Sequence, residues 1–140
     1  MSAALPTRHR PTPHLPTRHL FVYGTLRPGE VRWPFLEPFV VDEGHDDSAR
    51  GTLFDTGLGY PAALFSHDGA RISGRTYGLL EASLDRALAE LDLVEGAVRG
   101  LYERIVVITG TGVRAWAYQF GSDPDIVLRP ISGGDWLTRG

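Results

Sequence analysis

The chemistry open to this chain is limited by two residue types that its sequence lacks. None of its 140 residues is a cysteine or a lysine. Thiolate nucleophiles, cysteine-ligated metals and iron–sulfur clusters are therefore excluded. Lysine Schiff bases and the lysine of a phosphate-binding P-loop are excluded as well. Any catalysis must depend on carboxylates, histidines, hydroxyl groups or backbone amides.

One carboxylate, Glu95, has a position that favours a chemical role. Residues 81–96, EASLDRALAELDLVEG, have the periodicity of an amphipathic helix, with Leu84, Leu88 and Leu91 on its apolar stripe. At about 100° per residue, Glu95 falls on that same stripe. Burial and the negative end of the helix dipole would both raise the pKa of this carboxyl group. Such a group can take up a proton and return it near neutral pH.

The end of this predicted helix leaves a second possibility for Glu95. Ser83 or Glu81 would begin the helix as N-cap, and Gly96 would stop it. If the last turn frays at Val94, the Glu95 side chain reaches solvent beside the glycine. Periodicity alone leaves both possibilities open, because helix ends are the least certain part of such a prediction.

A second candidate region is the end of the first predicted strand. Residues 20–30 read LFVYGTLRPGE, an apolar run that ends on Gly24, Thr25 and Leu26 before a Pro-Gly turn. Glycine lets a ligand approach the backbone closely, so amides of this turn could donate hydrogen bonds to a substrate. Tyr23 is either a substrate-positioning residue or an aromatic core residue whose hydroxyl is satisfied.

Three other polar segments are expected to carry no chemistry. Residues 44–48 place His45 beside two aspartates on what we expect to be an exposed turn rather than a metal site. His67 lies between a serine and an aspartate, but sequence neighbours do not form triad geometry and no GxSxG elbow is present. The GTG at 110–112 is predicted to be a hairpin turn, since no helix follows it.

The elements that would position these groups are mostly short strands. The candidates are rich in β-branched and aromatic residues, are separated by Gly, Pro and Asp turns, and in several cases alternate apolar with polar residues. Seven strands and one main helix predict an α+β domain built on a curved, barrel-like sheet. The candidate strands are residues 19–25, 39–44, 49–57, 63–69, 71–80, 102–110 and 113–121.

The first eighteen residues differ from the rest. Residues 1–18 contain four prolines, three arginines and no acid, which predicts a disordered tail ahead of a single domain at 19–140. Without those three arginines the body keeps 11 arginines against 17 acids, a formal charge of −6. An acidic body argues against a nucleic-acid partner. The sequence contains neither a signal peptide nor an apolar run long enough to span a bilayer, so a cytoplasmic location is expected.

Two segments in combination resemble a known family. LFVYGTLRPG at 20–29, then ELDLVEG at 90–96 followed by YERIVV at 102–107, resemble the γ-glutamylcyclotransferase-like family, also called AIG2-like proteins. The resemblance implies a small, mixed but mainly antiparallel β-barrel with one main helix packed against it. It also implies conversion of a γ-glutamyl-amine or γ-glutamyl-amino acid into 5-oxoproline and the free amine, without a metal or an organic cofactor.

The resemblance also implies roles for individual residues. The glutamate of LDxxEG, the family's catalytic residue, corresponds to Glu95. The YGTL turn, here Tyr23 to Leu26, would line the substrate cavity through Tyr23, Gly24, Thr25 and Leu26. A tyrosine seven residues after the glutamate corresponds to Tyr102, and a late-strand tyrosine of some members to Tyr118.

Some features stay open under this resemblance. The loop with Arg32, Trp33 and Phe35 is of a kind that varies between subgroups, so the γ-glutamyl substrate is not specified. The alternative to an enzyme is a non-catalytic member that binds a small molecule in the same cavity. Either a monomer or a homodimer is compatible with the predicted strands.

Overall fold

The computed structural model describes residues 16–96, 101–121 and 125–139. Seven strands and two short helices make up the regular structure of these residues, together with three short 3₁₀ helices. The strands are β1 His19–Val22, β2 His45–Asp55, β3 Pro61–Phe65, β4 Ala70–Gly78, β5 Tyr102–Ile108, β6 Arg114–Phe120 and β7 Arg129–Pro130. The helices are α1 Trp33–Leu36 and α2 Leu84–Val94.

The strands form one mixed, mainly antiparallel sheet. Its order is β3-β2-β4-β1-β6-β5, with β7 pairing to β2, and the one parallel pair is β1 with β6. The sheet curls until its two sides meet, where the amide N–H of Phe65 in β3 donates to the Gln119 side chain of β6 at 3.3 Å. The result is a nearly closed barrel, and the predicted fold class is confirmed.

Strand β1 is buried on both faces because each face packs into a core cluster. Leu20 and Val22 point into the core cluster under the helices, whereas Phe21 and Tyr23 point into a second cluster. This alternation is the period-2 pattern of a strand. A fully buried strand holds its end firmly, so the turn that begins at Gly24 has a fixed position in the fold.

Helix α2 packs its predicted stripe against the first core cluster. Leu84, Leu88 and Leu91 are buried, and Leu93 on the opposite side is exposed. Of the two predicted N-cap positions, Ser83 is the one that precedes α2, although its side chain makes no capping hydrogen bond, and residues 81–83 form a 3₁₀ turn. Gly96 has φ +72°, the left-handed conformation that ends helices.

Two local predictions need correction. Residues 39–44 were expected to form a strand, but Glu37–Phe39 is a 3₁₀ helix and only Val40 forms a bridge, to Leu79. Residues 45–48 were expected to form an exposed turn and instead begin β2. The physical reason lies at Gly44, whose φ of +69° turns the chain into the new strand one residue before His45. The predicted hairpin turn at 110–112 does join β5 to β6.

The N-terminal prediction falls largely outside the described residues, since residues 1–15 are not among them. Thr17 contacts the body, where its carbonyl accepts a hydrogen bond from Trp116 Nε1 at 3.0 Å. Within the described ranges no helix combines the length and the apolar character that crossing a bilayer would need.

Candidate active site

The turn after β1 forms one wall of a cleft. The Arg27 N–H donates to the Gly24 carbonyl at 3.0 Å and closes the turn. Gly24 packs directly against Pro61 of β3, and a Cβ at this position would lie only 2.5 Å from Pro61 Cγ. A side chain here would therefore push the turn away from β3, which explains why the strand ends on a glycine.

This turn presents unused backbone donors. The N–H groups of Gly24, Thr25 and Leu26 have no hydrogen-bond acceptor among the described residues, and all three residues are buried. Buried backbone N–H groups are almost always paired in folded proteins. Consecutive unpaired amides in a turn form a concave site that favours an anion.

Glu95 faces this turn from the end of α2. It is the C-cap residue, its N–H donates to the Leu91 carbonyl at 2.9 Å, and it is 8% exposed. The helix thus stops at Val94, as expected if its last turn frays. The Glu95 side chain nevertheless stays buried, as expected from its place on the apolar stripe. Burial raises the pKa of the Glu95 carboxyl group, and the neighbouring Arg32 guanidinium, with Nη1 2.8 Å from Oε2, opposes part of that rise.

Three tyrosines complete the cleft, and burial raises the pKa of each of them. The Tyr23 hydroxyl donates to the backbone carbonyl of Tyr118, and the Tyr102 hydroxyl donates to that of Pro61. The Tyr118 hydroxyl donates to Asp92 Oδ1 at 2.6 Å. Each phenol proton is therefore engaged within the protein, and the oxygen lone pairs remain available to accept from a ligand.

The structure brings all seven predicted site residues to one cleft. It is lined by Phe21, Val22, Tyr23, Gly24, Thr25, Leu26, Arg32, Tyr60, Pro61, Glu95, Tyr102 and Tyr118. Sequence reasoning did not identify Arg32, Tyr60 and Pro61 as site residues. Arg32 had a usable signal, being a cation in the loop next to the YGTL turn, whereas nothing in the sequence pairs Pro61 with Gly24.

An ion pair behind the cleft holds α2 against the barrel. Asp92 receives two hydrogen bonds from Arg104 of β5, at 2.8 and 3.2 Å, in addition to the one from Tyr118. The Arg104 guanidinium also lies over the Trp116 ring at 4.3 Å. Asp92 therefore fixes both the last turn of the helix and the Tyr118 ring, and so sets the position of Glu95 relative to the tyrosines.

The other polar segments lie apart from these residues. His45 Nε2 contacts Asp47 Oδ2 at 3.2 Å on β2, and His67 is exposed on the turn after β3. Within the described residues, no three His, Cys, Asp or Glu side chains are grouped so that they could hold a metal ion.

Comparison with known proteins identifies the family. The model of the family described as gamma-glutamyl cyclotransferase, AIG2-like, matches residues 20–138. The chain belongs to this family. This membership makes the protein a γ-glutamylcyclotransferase-like enzyme, and it places Glu95 and the YGTL turn within the matched region.

Individual relatives agree with the family assignment. The chain is 35% identical over 88 residues to a putative gamma-glutamylcyclotransferase of Halalkalibacterium halodurans, covering 62% of this chain and 78% of the relative. It is 34% identical over 115 residues to the gamma-L-glutamyl-butirosin B gamma-glutamyl cyclotransferase of Niallia circulans, covering 79% and 71%. An uncharacterised protein of Pyrococcus horikoshii has a similar fold, with TM-score 0.65 at 21% identity over 86% of this chain and 90% of that one.

Proposed function

We propose that this enzyme converts a γ-glutamyl compound into 5-oxoproline and the free amine, with Glu95 as its general acid and base. The observation that carries the proposal is the Glu95 carboxyl group, which is buried at the helix end, has a raised pKa, and shares its cleft with backbone amides that have no acceptor among the described residues. A carboxyl group with a raised pKa is suited to taking up and releasing a proton during one reaction cycle.

The cleft offers complementary partners for each end of a γ-glutamyl group. The unpaired N–H groups of Gly24, Thr25 and Leu26 would bind its α-carboxylate and the oxyanion that forms at the γ-carbon. The α-amine would lie near the Glu95 carboxylate and the phenol oxygens of Tyr23 and Tyr102, whose protons are already engaged. Ring closure needs both ends of the group to be held in a folded pose, because the nucleophile is part of the substrate.

The reaction then needs two bond changes and the movement of protons. Glu95, ionised, takes a proton from the α-ammonium, and the freed amine attacks the γ-carbonyl carbon. The turn amides stabilise the resulting oxyanion. As the intermediate collapses, the bond from the γ-carbon to the leaving nitrogen breaks and protonated Glu95 gives its proton to that nitrogen. The second proton lost by the attacking nitrogen leaves with the released amine, so Glu95 ends the cycle ionised.

A panel of γ-glutamyl-amino acids and γ-glutamyl-amines, assayed for 5-oxoproline, tests this function. The wild-type protein should release 5-oxoproline, and Glu95→Gln should lower kcat by about 10²- to 10⁴-fold because the general acid and base is lost. Glu90→Gln is the matched control, since Glu90 is on the same helix, half exposed, and pairs only with Arg86 among the described residues. Full activity in a folded Glu95→Gln protein would refute the mechanism. Absence of turnover across the panel would instead support the non-catalytic binding alternative.

A further inference from the structure

Arg32 lines the cleft and is more exposed to solvent than the Glu95 carboxylate beside it. It is the one cationic side chain among the cleft-lining residues that the structure describes. Its side chain is 31% exposed, whereas that of Glu95, 2.8 Å away, is 10% exposed. The guanidinium therefore lies on the solvent side of the carboxylate. In the proposed binding mode the γ-glutamyl part goes inward to the turn amides, so the rest of the substrate would extend outward past Arg32.

The backbone holds Arg32 firmly in this position. The Arg32 N–H donates to the Thr25 carbonyl at 2.8 Å, which ties it to the YGTL turn itself. The next residue, Trp33, begins α1 and packs on Tyr77 with ring centroids 5.3 Å apart, while Leu36 of the same helix is fully buried. A side chain anchored on both sides is positioned for recognition rather than free to swing with a loop.

The Arg32 guanidinium also has N–H donors that bind no acceptor among the described residues. Only Nη1 is engaged, by Glu95; Nε and Nη2 have no acceptor among the described residues. An arginine has five N–H donors in a planar fork that matches a carboxylate. The Nε and Nη2 donors are therefore suited to bind a second carboxylate while Nη1 stays beside Glu95.

We infer that Arg32 selects substrates whose leaving amine bears a carboxylate on the adjacent carbon, that is, γ-glutamyl-α-amino acids rather than simple γ-glutamyl-amines. This inference rests on the proposed function. Glu95 must reach the leaving nitrogen to protonate it, and Arg32 Nη1 is within hydrogen-bond distance of Glu95. A carboxylate one carbon from that nitrogen therefore comes next to the guanidinium. The α-carboxylate of the γ-glutamyl group is not available for this contact, because the turn amides take it.

Three substrates with matched skeletons isolate this carboxylate. γ-Glutamyl-alanine carries it, γ-glutamyl-alaninamide replaces it with a neutral amide, and γ-glutamyl-ethylamine lacks it. The wild-type kcat/KM should favour γ-glutamyl-alanine over both others by about 10- to 100-fold, the range of one charge-assisted contact. In Arg32→Gln this preference should fall to about 1, and Arg32→Lys, which keeps the charge, should retain part of it. Arg86→Gln, the same change on the exposed side of α2, should keep the wild-type preference.

An unchanged preference in Arg32→Gln would overturn the inference while leaving the proposed function intact. If that unchanged preference came with an equal loss of kcat/KM for all three substrates, Arg32 would serve the α-carboxylate or Glu95 instead. A binding measurement separates these from a failure of the function. By calorimetry, Glu95→Gln should bind γ-glutamyl-alanine more tightly than γ-glutamyl-ethylamine, and the Glu95→Gln, Arg32→Gln double variant should not. If the wild type turns over none of these substrates, the proposed function is wrong. The role of Arg32 in binding the carboxylate is then supported if the calorimetric difference is seen and overturned if it is not.

Discussion

The pKa values of two carboxylates in this protein, Glu95 and Asp47, are shifted in opposite directions. Burial raises the pKa of Glu95, whose ionic partner among the described residues is Arg32. Burial acts in the same direction on Asp47, yet hydrogen bonds outweigh it and lower that pKa from 3.8 to about 2. Asp47 receives bonds from the Ser48 N–H, the Thr76 hydroxyl, and both the N–H and hydroxyl of Thr111, at 2.8 to 3.1 Å.

The difference shows what separates a carboxylate that can exchange protons from one that only stabilises the fold. Burial alone does not decide it, because both side chains are almost fully removed from solvent. The number of donors directed at the ionised form decides it. Asp47 is saturated with donors and has no reason to take up a proton, whereas Glu95 faces a cleft whose donors and acceptors are left for a ligand. Each prediction below tests this contrast.

The largest expected difference is in stability after neutralising each carboxylate. Asp47→Asn should lower the free energy of unfolding by about 2–4 kcal/mol, because an amide cannot replace a carboxylate surrounded by donors. Glu95→Gln should change it by less than about 1 kcal/mol, since losing the Arg32 ion pair is offset by removing a buried charge. Urea unfolding of both variants at pH 7 measures this. The contrast is wrong if Glu95→Gln proves the more destabilising, and Asp47→Asn should keep the activity of wild type.

The second expected effect is a loss of stability in acid that is caused by protonation of Asp47. Its pKa is about 2 in the folded state against 3.8 in the unfolded chain, so between these values the unfolded state binds more protons. The stabilisation, about 2 kcal/mol, is complete above pH 3.8 and is lost as the pH falls through about 2. His45 Nε2 lies 3.2 Å from Oδ2 of the same carboxylate. The gap in unfolding free energy between wild type and Asp47→Asn should shrink by that amount on acidification; a constant gap would contradict it.

Glu95 should change the free energy of unfolding with pH in the opposite direction to Asp47. Because its pKa is raised above 4.5, the folded state binds more protons than the unfolded chain, and stability falls as the pH rises above 4.5. Glu95→Gln should remove this part of the pH dependence and leave the acid limb due to Asp47 unchanged.

The sequence predicted one of these two carboxylates and not the other, for a physical reason. Glu95 is on a helix whose local periodicity puts it on the stripe of Leu84, Leu88 and Leu91, so burial was one of the two possibilities that the sequence left open. Asp47 was assigned with Asp46 to an exposed turn. In β2 the strand pleat separates the neighbours, leaving the Asp46 side chain 91% exposed and that of Asp47 fully covered. Which of two neighbouring side chains is buried can be predicted only when the strand itself is assigned correctly.

Contacts between distant segments were beyond sequence reasoning in the same way. The barrel fold and the YGTL turn could be predicted, because short apolar strands and a strand-ending glycine are local signals. The Arg32–Glu95 pair joins residues 63 positions apart, and Gly24 packs on Pro61 of a different strand. These contacts depend on how β1, β3 and α2 assemble. The loop with Arg32 is of a kind that varies between subgroups, so its role is not specified by the sequence, and it contributes the guanidinium beside Glu95.

The smallest expected effect comes from removing one donor from Asp47. Thr76→Val keeps the shape of a fully buried side chain but deletes the hydroxyl that donates to Oδ2 at 2.8 Å. Stability should fall by about 1–2 kcal/mol, and the Asp47 pKa should rise, because the ionised form loses one of the bonds that favour it. Thr52→Val, on the exposed face of β2, is the matched control and should change neither quantity appreciably. Asp47 titration can be followed by NMR of the carboxyl carbon. If Thr76→Val left that pKa at about 2, donor number would not be what separates Asp47 from Glu95.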